Sequence, residues 1–202
     1  MKLDLISTIK GSALEGFFPA GWKLERMDEL AGRAPERLGE REEYWNAGFE
    51  PVGCENVHDL EVLMGVEIAT QVIEARDEGR QLALILPVGP MGMYRWAIDL
   101  LEKEKVSCDH VWGFNMDEWS DAEGNTLAAD APGSFQNAME EAFYDKLGKL
   151  TVPPEQRYFA SRERLEQYPG KIAGLRADGA KLVVVYGIGR ALHIAFWEPH
   201  FA

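Results

Sequence analysis

At 202 residues and a hydrophobic fraction of 46%, the chain fits one domain of ordinary size with a real core. A formal net charge of −13 argues against a nucleic-acid or anionic-membrane surface as the main partner. It does not exclude an anionic small substrate, because a local cluster of backbone N–H groups can hold a phosphate against the global field. The two cysteines, Cys54 and Cys108, have no metal spacing, no signal peptide is evident, and no apolar run approaches the ~20 residues that span a bilayer. A reducing cytoplasm is therefore expected. The chain shows no internal repeat and no low-complexity tract.

Residues 1–55 begin with the aromatic turn "GFFPAGW" and continue into the charged, Pro-interrupted "ERMDELAGRAPERLGEREEYW". They read as an extension wrapped onto the main body through Phe17, Phe18, Trp22 and Trp45, with disorder over part of it as the competing reading. The main domain is expected over 56–202. Asn56 suits a helix cap, Asp59 follows in the first turn, and Leu60, Met64, Ile68 and Val72 recur at helical spacing up to a stop at Gly79. "QLALILPVG" is a short apolar strand stopped by Pro87 and Gly89. "MYRWAIDLLEKEK" is an amphipathic helix, and "HVWGFNMDEW" a second strand ending in acids. "GSFQNAMEEAFYDKL" places Phe135, Met139, Ala142 and Phe143 on one helical face. "SRERLEQYPGKIAGLRADG" is helical with a break near Pro169, and "KLVVVYG" is the third clear strand. Apolar strands separated by helices predict a three-layer α/β fold. Its sheet is mainly parallel, with helices on both faces, in the Rossmann-like manner.

In such sheets ligands bind beyond the carboxyl ends of the strands. That rule selects Pro87–Met93, Asn115–Trp119 and Gly187–Glu198. After the first strand, Gly89 and Gly92 precede a helix N-terminus, where free N–H groups and the helix dipole favour an anion. The signal is blunted by Pro90, which lacks a donor, and it matches no dinucleotide or P-loop pattern. After the second strand, Asp117 and Glu118 are adjacent and point to opposite sides of an extended backbone. Only one can face a cleft directly, where a partly desolvated carboxylate suits a proton-transfer base; the plainer alternative is that one acid caps the next segment and the other is solvated. After the third strand, Gly187 and Gly189 allow close approach of the backbone to a ligand. Arg190 follows, and then His193, which is either a core histidine or an acid–base group paired with Glu198.

Together these segments resemble the glucosamine-6-phosphate deaminase (isomerase) family, which is related to the 6-phosphogluconolactonases. The resemblance runs from about Asn56 to Pro199 in order and spacing. "FNMDEW" is similar to the family's F-N-M-D-E-Y, and "HIAFWEP" to its H-I-A-F-N-E-P. The resemblance implies an aldose–ketose isomerisation coupled to release of ammonia from a phosphorylated amino sugar, without metal or organic cofactor. It implies that Asp117 is the base moving a proton between C2 and C1, that His193 assists ring opening, and that Glu198 is its carboxylate partner. Gly89, Gly92, Glu118, Gly187, Gly189 and Arg190 are the expected substrate contacts.

The departures from the family pattern are equally specific. The family turn reads G-x-G-N-D-G-H, whereas this chain has Arg190 at the Asn, Ala191 at the Asp and Leu192 at the Gly. The loop Val88-Gly89-Pro90-Met91-Gly92 stands where the family has a Gly-Gly pair with Ser or Thr. Family members also continue past the HIAFWEP segment, so an incomplete sheet is expected, with an exposed edge that favours self-association into a homo-oligomer. Two functions compete: a sugar-phosphate enzyme of this kind, and a catalytically impaired sugar-phosphate-binding or regulatory module of the same fold.

Overall fold

The computed structural model of the protein describes residues 46–121 and 123–187, together with Ser7, Lys10 and Gly11. Residues Asn56–Gly187 form one compact unit, which holds every element named below. The expected docking of Phe17, Phe18, Trp22 and Trp45 lies outside the described residues.

Helix α1 spans Val57–Asp77. Its start is capped in both directions: Asn56 Oδ1 accepts from the Asp59 N–H at 3.0 Å, and Asn56 Nδ2 donates to Asp59 Oδ2 at 2.8 Å. Just past its end Gly79 takes a φ of +65°, the left-handed turn that a glycine enters without a Cβ penalty. Strand β1 is Leu82–Leu86, helix α2 is Gly92–Lys103, and strand β2 is Val111–Asn115. Helix α3 begins as Phe135–Met139 and is prolonged by a wider turn over Glu140–Tyr144. Strand β3 is Arg157–Tyr158, helix α4 Arg162–Leu165, helix α5 Tyr168–Ala177 and strand β4 Lys181–Val184.

The described strands form one parallel sheet in the order β3-β2-β1-β4. Leu86 of β1 pairs in register with Asn115 of β2, and Ile85 with Val184 of β4. Each face has its own core. Leu82, Leu84, Leu86 and Val111 pack against Ile68 and Val72 of α1, Met93, Ala97 and Leu101 of α2, and Met139 and Phe143 of α3. Ala83 and Phe114 look the other way, onto Tyr168, Ile172 and Leu175 of α5. Burial on both sides is why β1 reads as the unbroken apolar run Leu-Ala-Leu-Ile-Leu rather than as an alternation. The α/β architecture with helices on both faces of a parallel sheet is thus present.

One detail differs from the sequence expectation: the two-residue edge strand β3 has no hydrophobic pattern of its own, so no periodicity marks it. The expected break near Pro169 is present: the stretch 161–179 is two helices, and Pro169 stands in the first turn of the second, where its missing N–H costs nothing. No described helix is long and apolar enough to cross a membrane.

Candidate functional site at the carboxyl end of the sheet

The chain steps outward from β1 to β2 to β3, then returns to place β4 on the opposite side of β1. The direction of winding therefore reverses between β1 and β4, the position where open α/β sheets form a ligand crevice. Their two loops approach closely there. A Cβ at Gly187 would lie 2.9 Å from the Gly89 carbonyl oxygen, so the approach requires a glycine at 187, whereas a Cβ at Gly89 would meet nothing within 4 Å.

The two neighbouring acids after β2 are sorted by their surroundings. Glu118 turns to the start of α3. Its Oε1 accepts from the Phe135 N–H at 2.9 Å, and its Oε2 accepts from the Gln136 N–H at 2.8 Å and from Ser134 Oγ at 3.0 Å. Its Oε1 also accepts from the Trp119 N–H at 2.8 Å. Ser134 Oγ in turn accepts from the Asn137 N–H at 3.2 Å. A carboxylate and a hydroxyl thus satisfy three of the orphan donors at the helix start and complement its dipole. Of the two roles open to Glu118, capping takes up both of its oxygens.

Asp117 lies on the other side of that backbone, with its Oδ1 buried. Its negative charge reaches two tyrosines. Burial pushes the Tyr94 hydroxyl well above its ordinary pKa, with Tyr144 and Asp117 adding to the push. Burial does the same to Tyr168, again with smaller contributions from Tyr144 and Asp117. Both phenols therefore stay protonated and act as donors. Tyr94 on α2 donates to the Pro87 carbonyl and ties that helix back to the end of β1. Tyr168 on α5 lies 3.0 Å from the Asn115 carbonyl and 2.8 Å from that of Tyr158, spanning the ends of β2 and β3. Asp117 thus stands at a sheet end braced from both faces by protonated tyrosines.

Asn115 closes β2 with 1% of its surface exposed, and neither amide atom has a hydrogen-bond partner among the described residues. The Tyr144 hydroxyl, seated over Gly113 two residues earlier, is buried and unpartnered in the same sense. Strand alternation puts Asn115 and Gly113 on one face, so these orphan polar groups share the α2–α3 side of the sheet. Buried amides and hydroxyls are nearly always hydrogen-bonded, which makes Asn115 a pointer to a ligand.

Gly89 lies in the loop from β1 to α2, and Gly92 is the first residue of that helix. A Cβ on Gly92 would fall onto the carboxyl carbon and both oxygens of Glu61, a residue of α1. A separate cavity of about 290 Å³ opens between α3 and the β3–α4 loop, lined by Glu140, Arg157, Ser161 and Arg164 among others. Its Arg157 is held by Glu140 at 2.6 Å and by the Val152 carbonyl at 2.9 Å. Among the described residues no cluster of His, Cys, Asp and Glu could hold a metal ion.

Of the expected site residues, the structure brings Gly89, Gly92, Asp117 and Gly187 to the carboxyl end of the sheet and turns Glu118 to the cap. Gly189, Arg190, His193 and Glu198 lie outside the described residues. Sequence reasoning named none of Glu61, Tyr94 and Asn115. Glu61 and Tyr94 lie on helices whose facing is set by long-range packing, whereas Asn115, a polar residue closing a buried strand, carried a signal that could have been read.

Comparison with known proteins follows this geometry. No family model matches the chain. A glucosamine-6-phosphate deaminase of Caenorhabditis elegans is 31% identical over 140 residues, covering 65% of this chain and 48% of the relative. One from Proteus mirabilis is 31% identical over 133 residues, covering 59% and 44%. One from Borrelia garinii is 34% identical over 120 residues, covering 56% and 41%. The chain thus spans just under half the length of these curated relatives. Among solved structures, a monomeric glucosamine-6-phosphate deaminase of the NagB superfamily matches with a TM-score of 0.56 at 24% identity, over 72% of this chain and 58% of that one.

Proposed function

Because the chain is a distant homologue of the glucosamine-6-phosphate deaminases over part of its length, we propose that it carries out an aldose–ketose isomerisation of an amino sugar with release of ammonia, on glucosamine 6-phosphate or a close relative. The observation that carries the reading is the placement of Asp117. It stands at the carboxyl end of the inner strand β2, beside the crevice, while its neighbour Glu118 is occupied with α3. In this reading Asp117 is the base that shuttles the proton between C2 and C1 of the open-chain sugar. His193 and Glu198 form the acid–base pair that opens the ring. Tyr94 and Tyr168 hold the ends of the strands around the base, so that the carboxylate meets its proton in a fixed geometry. No metal or organic cofactor takes part.

The test is turnover of glucosamine 6-phosphate to fructose 6-phosphate and ammonia, followed through both products. Asp117→Asn keeps the shape of the side chain and removes the base. The expected loss in kcat is about 10²–10⁴-fold, the usual contribution of general base catalysis. Turnover that survives this change undiminished removes Asp117 from the role.

Ala191, at the position where the family motif has an Asp two residues before the histidine, favours a second reading. In it the chain is a binding or regulatory module that holds a sugar phosphate without converting it. Calorimetry beside the turnover assay separates the two: binding without product formation supports the module.

A further inference from the structure

We propose that the cavity between α3 and the β3–α4 loop is a second binding site, for a small hydroxy acid with a single carboxylate. The cavity holds about 290 Å³, just under the ~300–1,000 Å³ of pockets for drug-sized ligands, so its occupant is small. It lies past the carboxyl end of the edge strand β3, the side of an open α/β sheet on which ligands bind. Arg157 of that strand stands on its wall, with Phe159 and Ser161 following along the chain. In the order β3-β2-β1-β4, strand β2 separates this cavity from the crevice between β1 and β4. The site is therefore distinct from that of the catalytic reading and does not rest on it.

The wall carries two guanidinium groups against one carboxylate. Arg157 is the buried one, with 10% of its side chain exposed. Its Nε donates to the Val152 carbonyl at 2.9 Å, Nη1 to Glu140 Oε2 at 2.6 Å and Nη2 to Thr151 Oγ1 at 3.3 Å. Glu140 thus balances its charge. Arg164 forms no ion pair among the described residues. Its Nη1 donates to the Arg157 carbonyl at 3.0 Å, and its guanidinium lies 5.7 Å from the centre of the Tyr158 ring. These contacts orient the group and leave the edge formed by Nε and Nη2 without an acceptor among the described residues. Two parallel N–H groups on one edge match a carboxylate bidentately. A single unbalanced cation suits a monoanion. A phosphate dianion would leave a negative charge uncompensated beside Glu140 and the exposed Glu163. Gln136 supplies the rest of the recognition. Its backbone N–H is held by Glu118, but its side-chain amide on the cavity wall has no partner among the described residues. That amide offers a donor and an acceptor together, and a hydroxyl uses both.

An amide NMR titration of the full chain reads both affinity and place. The probes are glycerate, propionate, which lacks the hydroxyls, glycerol, which lacks the charge, and inorganic phosphate. The proteins are the wild type, Arg164→Gln and Arg164→Lys; Arg164 is exposed, so neither change threatens the fold, and unmoved resonances elsewhere verify this. In the wild type glycerate is expected to shift the amides of 136–140 and 157–164 saturably. Propionate and phosphate are expected to bind more weakly than glycerate, and glycerol not at all. Arg164→Gln is expected to weaken glycerate about tenfold or more. Arg164→Lys is expected to weaken it as well, because the ammonium keeps the charge and loses the planar edge. Absence of saturable shifts at these amides overturns the proposal, as does equal affinity in the wild type and Arg164→Gln. Phosphate or propionate binding as tightly as glycerate overturns the choice of a hydroxy acid. The catalytic reading fails or stands on the turnover of the wild type and of Asp117→Asn, so the two outcomes are distinguishable.

Discussion

Asp117 and Glu118 have the same charge and adjacent positions, yet they take different roles because of what each meets. Four groups donate to Glu118: the N–H groups of Trp119, Phe135 and Gln136, and the Ser134 hydroxyl. Glu118→Ala leaves the first turn of α3 with unsatisfied, part-buried donors. The expected cost is about 1–3 kcal/mol, the range for losing a cap and a set of hydrogen bonds to a charged acceptor. Urea denaturation midpoints at constant slope measure it. A substrate-contacting Glu118 would give the opposite result, an unmoved midpoint with a raised KM. Sequence could say that the two acids face opposite ways, since alternation along an extended backbone requires it. Which of them faces the crevice depends on a helix that starts 17 positions further on, and no local pattern contains that information. Tyr94 escaped notice for the same reason: it acquires its role from contact with a different element.

At the scale of elements, α1 packs tightly on α2, and Gly65 makes the approach possible. A Cβ there would lie 2.5 Å from both the Met93 carbonyl oxygen and the Trp96 Cβ, and 3.0 Å from the Ala97 nitrogen. These are backbone or backbone-proximal atoms that yield little. Gly65→Ala is therefore expected to destabilise by about 1–3 kcal/mol through overpacking. Gly174 in α5 offers the contrast, because nothing lies within 4 Å of the Cβ it lacks. Gly174→Ala is expected to stabilise by roughly 0.5–1 kcal/mol, the helix-propensity gain with no steric penalty. Paired denaturation curves check both signs at once, and a destabilised Gly174→Ala would refute the open space claimed for it. The separation of these two glycines also marks the reach of sequence reading at this scale. Helix α1 was legible from its Asn56 cap, its 3–4 periodicity and the Gly79 stop. The special demand on Gly65 was not, because a glycine inside a helix looks alike whether it is crowded or free.

Across the whole unit, what made the architecture legible is that β1, β2 and β4 are apolar and separated by helices of sufficient length, so a parallel sheet covered on both faces was the physical solution. What escaped was β3, whose two residues join the edge through the register of β2 rather than through any pattern of their own. The two cores differ in how they enclose the sheet, and the larger contains Cys108 beside Leu101, Val106 and Val111. Its thiol is pushed up to about 12, first by burial and then by the neighbouring Asp109 charge, and its backbone N–H donates to the Leu150 carbonyl at 2.9 Å. Cys54 is exposed. At pH 8 a thiol of pKa near 12 is ionised in only about one molecule in ten thousand, and the thiolate is the reactive form. Native protein treated with a thiol reagent is therefore expected to take one label rapidly, at Cys54. The second label should appear at the rate at which the core that buries Cys108 opens. Added urea should accelerate the second label steeply and the first hardly at all. Two labels entering at one rate in buffer would mean that this core is not closed, and the tie from Tyr94, which shares that core, to the Pro87 carbonyl would fail with it.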